Sequence, residues 1–426
     1  MTSARRGEKG SGLQVLWGLG GMLVLLLIAF AMSTNRRAIK PRTVIGALAI
    51  QLVFAFVVLR WETGRMVLAR VAGAVQRVID SSKEGIEFLF GPILPSEGIV
   101  VAFQVLPLIV FIASLTAVLY HLHVLQWVVR IIGGGLQKLL GTSKAESLNA
   151  TANIFLGQTE APLVVRPYLA RMTKSEFFAV MVGGLATVAG TVLVGYAALG
   201  ANLQHLIAAS FMAAPGALLM AKIIMPETEE TAGDAEVAGE DADGAEEAAG
   251  EPEYKPQNLI DAAASGASDG LKLALNVAAM LFAFVSLVAL VNLFIGMVGG
   301  LFGVADLTLE QILGYVFSPV MVLTGVPWHE AVAAGSFLGE KLVINEFVAF
   351  ADFGPQIGNF SDKTATIITF ALCGFANISS LAILLGGLGG LVPARRPMIA
   401  KYGLRAVAAG TLANLVSATI AGILVA

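Results

Sequence analysis

Glu160 and Glu346 each lie inside a long apolar stretch that is interrupted near its middle. Gly157-Gln158-Thr159-Glu160-Ala161-Pro162 breaks one stretch. Gly339-Glu340-Lys341, followed by Asn345-Glu346-Phe347, breaks the other. A carboxylate at bilayer depth costs at least about 2.5–3.5 kcal/mol, so it faces a cavity, a partner or a substrate rather than lipid. The chemistry on offer is recognition by hydrogen bonds: Gln158 and Thr159 donate and accept, and a carboxylate accepts from two hydroxyls or a ring N–H. Charge-assisted bonds of that kind are about twice as strong as neutral ones. Two such carboxylates, each beside a helix-breaking sequence in corresponding halves of the chain, point to a transporter binding site.

The elements that must hold them are membrane helices. Of 426 residues, 57% are hydrophobic and 13% charged, against about 25% charged in soluble domains. Apolar runs reach the roughly 20 residues needed to cross a bilayer. The net charge of −3 conceals an asymmetry. Twelve acids and no basic residue fall between Glu227 and Glu253, and the other 18 acids face 27 basic residues, a balance of +9. The acidic segment, rich in Ala and Gly and without aromatics, is expected to be a disordered loop. Cys373 is the only cysteine, so no disulfide forms within the chain. His121, His123, His205 and His329 lack a metal-ligand spacing. The amino-terminal run Leu13–Met32, preceded by Arg5, Arg6 and Lys9, has signal-peptide flanks but the length of a retained span.

Eight spans are predicted: Leu13–Met32, Val44–Leu59, Ile99–Leu122, Phe177–Gly200, Leu206–Met225, Leu273–Val298, Ala365–Leu391 and Leu404–Val425. Between the second and third, Val67, Val71, Val75 and Val78 recur at helical spacing against Arg65, Arg70, Arg77 and Lys83, an amphipathic helix in the interface. Leu125–Leu140 reads similarly. Ser147–Tyr168 and Val320–Phe350 fit as re-entrant hairpins, since irregular backbone at depth is tolerated only when buried in protein. Phe155-Leu156-Gly157-Gln158 resembles Phe337-Leu338-Gly339-Glu340, and each hairpin precedes a span with a polar break, at Ala186–Gly190 and Gly374–Ser380. Hairpin plus broken span, twice, is the inverted-repeat pattern of a secondary transporter. The basic residues Arg36, Arg37, Lys40, Arg42, Arg166, Arg171, Lys174, Lys222, Arg395, Arg396, Lys401 and Arg405 then share one side, the cytoplasmic one, with both termini outside.

At this point the residues resemble a family. Gly157-Gln158-Thr159-Glu160-Ala161-Pro162-Leu163, Asn345-Glu346-Phe347-Val348-Ala349 and Ala371-Leu372-Cys373-Gly374-Phe375-Ala376-Asn377 are similar to signature segments of the concentrative nucleoside transporters. The resemblance implies an all-α polytopic membrane protein of eight transmembrane helices, two re-entrant hairpins and interfacial helices, assembled as a homotrimer in the bacterial inner membrane. It implies a cation-coupled importer of a nucleoside such as uridine, working by alternating access, with no enzymatic activity, no organic cofactor and no nucleic-acid partner.

By the same resemblance, Gly157, Gln158, Thr159, Glu160 and Val192 meet the base, and Glu346, Asn377 and Ser380 meet the ribose with Phe375 packing nearby. Sodium falls to the side chains of Asn153 and Thr187 and the carbonyls of Leu156 and Val188; proton coupling through Glu160 or Glu346 is the alternative. The implied division is scaffold over 1–122 and 257–298, transport repeats over 123–225 and 299–426, and a cytoplasmic loop over 226–256. Competing readings are that Asn377 and Ser380 glue helices together, and that Glu160 or Glu346 pairs with Lys341 or Arg166. An intramembrane enzyme finds no support, because neither an H-E-x-x-H motif nor a Ser/Lys or Asp/Asp protease pattern is present.

Overall fold

The computed structural model describes residues 2–95, 98–229, 256–304 and 307–425, with side chains from Gln14 onward. Among these residues every regular element is helical. Three helices come first: α1 (Thr2–Ala31), α2 (Pro41–Ala55), which runs on through one π turn, and α3 (Glu62–Phe90). From there the same order of elements occurs twice. The first run is α4 (Val101–His121), α5 (Val124–Leu140), α6 (Lys144–Ala152), α7 (Arg166–Leu169), α8 (Lys174–Ala186), α9 (Gly190–Ala198) and α10 (Leu203–Ile224). The second is α11 (Leu259–Leu301), α12 (Leu309–Leu323), α13 (Trp328–Val343), α14 (Glu346–Gln356), α15 (Asp362–Leu372), α16 (Ile378–Leu391) and α17 (Arg396–Val425). Each run is a long span, an amphipathic helix, a hairpin, a span broken in two, and a last span.

The two runs point in opposite directions. A Cβ on Gly266 of α11 would fall 2.5 Å from that of Ala117 on α4, and one on Gly270 would fall 2.6 Å from that of Ala113. α11 therefore advances as α4 recedes, and two glycines one turn apart let the backbones touch, the usual means of packing helices in lipid. α8 with α9, α10 and α17 fill the interior, whereas α1, α2, α4 and α11 stand outside with apolar faces open.

Local sequence explains the ends. Ser143 with Glu146 and Thr173 with Glu176 form reciprocal capping boxes at the starts of α6 and α8, satisfying backbone donors that a helix start leaves orphaned. Asn345, Ser361 and Asn377 cap α14, α15 and α16. Pro162 sits in the first turn of the 3-10 segment Ala161–Val165, where its missing N–H costs nothing.

Three sequence expectations change. The span expected over Leu273–Val298 is the later part of a 43-residue helix capped by Asn258, because Asp269 and Lys272 are exposed and do not interrupt it. The hairpin expected over Val320–Phe350 merges two corners. Gly325, at φ +105°, and Pro327 make a 115° bend between α12 and α13, and the hairpin itself is α13 and α14, broken at Ile344-Asn345. On α3, the protein-facing stripe is Gly64, Leu68, Ala72, Ile79 and Ile86, while Val67, Val71 and Val78 are exposed. Of the acidic segment expected over 226–256, residues 230–255 lie outside the described residues.

Candidate functional site

The two broken spans cross at their breaks. α8 stops at Ala186 and α9 resumes at Gly190; α15 stops at Leu372 and α16 resumes at Ile378. The Phe375 N–H donates to the Thr187 carbonyl at 3.0 Å, joining one unwound segment to the other. The tip of the first hairpin docks on the same place, with the Gly190 N–H donating to the Phe155 carbonyl at 3.1 Å. From α17, Asn414 Nδ2 donates to the carbonyls of Ala186 at 2.7 Å and Cys373 at 3.0 Å. Breaking a helix leaves carbonyls and N–H groups without partners, and here much of that polar backbone is used to weld the crossing.

Glu346 opens α14 and is buried at the crossing. Its Oε1 accepts from the Tyr196 hydroxyl at 3.0 Å and its Oε2 from Asn377 Nδ2 at 2.9 Å. Tyr196, on α9, is fixed by stacking on Phe350 (centroids 4.3 Å apart, planes 19° apart) and by an edge contact with Phe347 at 5.5 Å. Asn377 has a second task, since its Oδ1 accepts from the Ser380 N–H at 2.8 Å and the Ser379 hydroxyl at 2.7 Å. Asn345 Oδ1 likewise accepts from the Val348 N–H at 2.9 Å. A carboxylate in the first turn of α14 is favoured by the partial positive charge of that helix start.

The other polar group is the first hairpin tip. The Thr159 hydroxyl donates to Glu160 Oε1 at 2.8 Å. Gly157 and Gln158 are buried whereas Glu160 is exposed, and Gln158 Oε1 is buried without a partner. Glycine makes the fit. A Cβ on Gly157 would lie 2.2 Å from Glu160 Oε2, one on Gly184 2.8 Å from Gln158 Cβ, and one on Gly387 2.7 Å from Thr159 Cγ2. The tip is thus seated between α8 and α16, the two helices whose breaks form the crossing. Val192 is buried on α9, Phe375 lies within the second break and Ser380 follows it on α16.

The four sodium candidates also gather at the first break. Asn153 is fully buried; its Nδ2 donates to the Asn149 carbonyl at 2.9 Å, and its Oδ1 has no partner. The Thr187 hydroxyl donates to the Gly183 carbonyl at 2.8 Å, which leaves its lone pairs open. A Cβ on Gly183 would sit 3.2 Å from Asn153 Nδ2, so Asn153 and Thr187 flank the same glycine. Leu156 and Val188 belong to the two segments that the Gly190–Phe155 bond ties together. An orphaned amide oxygen, an open hydroxyl and carbonyls of unwound backbone are the donor types a hard cation takes at a broken helix.

Tyr196 and Asn414 are site residues that sequence reasoning missed. The sequence offers Lys341 only as an ion-pair partner. It donates instead to the Ala371 carbonyl at 2.6 Å and Asn414 Oδ1 at 2.8 Å, and among the described residues no carboxylate is within ion-pair distance of it. A tyrosine in an apolar helix reads as an interfacial anchor. The cost of burying an asparagine in α17 was the one available signal.

Comparison with known proteins bears on the whole chain. Residues 20–93 and 205–422 match family models described as the N-terminus and C-terminus of Na+ dependent nucleoside transporters, and residues 102–203 match one described as nucleoside recognition. The chain is 55% identical to the uncharacterized transporter YutK of Bacillus subtilis, over 97% of this chain and 100% of that one. Identity to the nucleoside permease NupC of Helicobacter pylori is 47%, over 96% and 98%. With the mouse sodium/nucleoside cotransporter 1 it is 38% over 96% of this chain, which spans 64% of that longer protein. The fold superposes on CNTnw in an inward-facing substrate-bound state with a TM-score of 0.89, at 51% identity over 96% of this chain and 98% of that one. A doubly substituted CNTnw in an outward-facing state gives 0.92, at 52% identity over 97% and 99%. A crossing of broken spans with two hairpins, matched over nearly the full length in sequence and in space, places the protein: the chain belongs to the concentrative nucleoside transporter family.

Proposed function

We propose that the protein is a sodium-coupled nucleoside symporter that imports its substrate across the bacterial inner membrane by alternating access. The observation that carries this reading is the buried Glu346 carboxylate, aligned by Tyr196 and Asn377 at the junction of two broken spans and the second hairpin. In this reading Glu346 and the Asn377–Ser380 turn bind the ribose hydroxyls, with Phe375 against the sugar. Gly157, Gln158, Thr159, Glu160 and Val192 bind the base. The unpartnered Gln158 oxygen supports that role, since a buried acceptor without a donor suits a base N–H. Asn153, Leu156, Thr187 and Val188 take the sodium ion.

Because the ion and the base share the first hairpin, sodium orders the tip and raises nucleoside affinity, a coupling of typical size about 1–3 kcal/mol. The hairpins and broken spans move as one body, and α1 to α4 with α11 form the fixed scaffold of a homotrimer. Proton coupling through Glu160 or Glu346 is the competing reading, as both carboxylates belong to the site. Uptake of labelled uridine and adenosine into proteoliposomes tests the choice. A sodium gradient at fixed pH should drive accumulation, and accumulation that follows only a pH gradient would reject sodium.

A further inference from the structure

Both broken spans end their first half inside the protein, where a helix C-terminus carries partial negative charge equivalent to about half a unit. The two ends are treated differently. At the end of α8 the donors are neutral: Asn414 Nδ2 to the Ala186 carbonyl at 2.7 Å and the Phe375 N–H to the Thr187 carbonyl at 3.0 Å. At the end of α15 there is a full positive charge, Lys341 Nζ, 2.6 Å from the Ala371 carbonyl and 2.8 Å from Asn414 Oδ1. Lys341 is fully buried. It donates to a helix-end carbonyl and an amide oxygen, the same oxygen types that stand at the first break in Leu156, Val188 and Asn153. Gly374 keeps the space open, because a Cβ there would lie 2.2 Å from Asn414 Oδ1.

We propose that Lys341 is the resident cation of the second repeat. Its ammonium stands at the end of α15 as the coupling ion would stand at the end of α8. Hairpin 2 therefore carries its own charge to its broken span, whereas hairpin 1, docked on its span through the Gly190–Phe155 bond, draws that charge from a bound ion. The inverted repeat supplies two equivalent places for a cation, and the chain fills one of them covalently. Lys341 acts as a positioning residue, setting the angle at which Glu346 is presented five residues further on. The inference rests on the proposed sodium site.

The test is a sodium titration of uridine binding to purified protein, comparing the parent with Lys341→Gln and Lys341→Arg. The parent should show a Hill slope for sodium of about one, Lys341→Arg the same, and Lys341→Gln a slope rising toward about two as a free ion replaces the lost charge. At the sodium concentration that half-saturates the parent, Lys341→Gln should bind uridine about tenfold more weakly, and high sodium should restore it. A monodisperse Lys341→Gln protein with the parent's slope, or one that no sodium concentration rescues, overturns the proposal. If Lys341→Gln does not fold, Lys341→Arg decides: loss of uridine binding there shows that charge is not what the site requires. Uridine binding to the parent that ignores sodium altogether rejects the sodium reading instead, and is thereby told apart from a failure at Lys341.

Discussion

Glu346 accepts hydrogen bonds from the side chains of Tyr196 and Asn377, and a carboxylate has further lone pairs that a ligand can use. Replacing it with Gln removes the charge while keeping the shape. A charged acceptor contributes about 1.5–3 kcal/mol per hydrogen bond, so Glu346→Gln should cut uridine affinity by roughly ten- to a hundredfold. Uptake assays with 2′- and 3′-deoxyuridine locate the effect: the parent should discriminate against both analogues, and the variant should not. Tyr196→Phe leaves the stacking on Phe350 intact and removes one donor. It should weaken uridine binding less than Glu346→Gln, and isothermal titration can rank the two. The carboxylates were legible in the sequence because a charge inside an apolar run has few innocent explanations. Tyr196 was not, since nothing in a run of small and apolar residues shows that a phenol 150 positions from Glu346 will reach it.

Among the elements, the breaks are where prediction succeeded and the corners where it failed. Thr187-Val188-Ala189 and the segment from Cys373 to Asn377 could be read as interruptions because polar or small residues replace a continuous apolar surface. Gly325 and Pro327 were equally visible, yet a bend between α12 and α13 and a hairpin between α13 and α14 produce the same local signal. Only packing separates them: Gly314, Gly335 and Gly339 let α12 and α13 lie in backbone contact, where an added Cβ would meet atoms of the opposing helix within 2.6 Å. The glycine seats offer a direct test. Gly387→Val would drive a side chain into Thr159 and lift the first hairpin tip off α16. Uridine affinity should fall about tenfold or more, with an unchanged size-exclusion profile. A normal affinity would show that the tip is seated elsewhere when substrate binds.

At the level of the whole molecule, the acidic segment is not uniform. Its first carboxylates are tied to the helices: Glu227 accepts from the Thr173 hydroxyl at 2.7 Å and lies 3.9 Å from Lys222, and Glu229 pairs with Lys174 at 3.2 Å. Lys222 also pairs with Glu146 at the start of α6. Lys222, Glu146 and Glu227, whose side chains are out of water, lose several kcal/mol of solvation each and depend on their partners, whereas the Glu229–Lys174 pair is exposed. Deleting residues 230–253 should therefore leave uridine uptake and assembly intact, whereas Lys222→Met, which strands Glu146, should lower the melting temperature by several degrees. Thermal unfolding in detergent distinguishes the two, and equal destabilisation by both would give residues 230–253 a structural role.

Cys373 is the sole thiol of the chain and lies buried at the second break, its carbonyl bound by Asn414. Its sulfur faces the Leu206 carbonyl of α10 at 4.0 Å, so a reagent reaches it only while the packing of α15 on α10 loosens, and the rate at which a maleimide consumes this sulfur is a stopwatch on that event. The parent protein needs no engineering to be read this way. Uridine with sodium should slow the labelling and either alone should slow it less, which turns a structural accident into a measurement of how often the interior around the second break loosens.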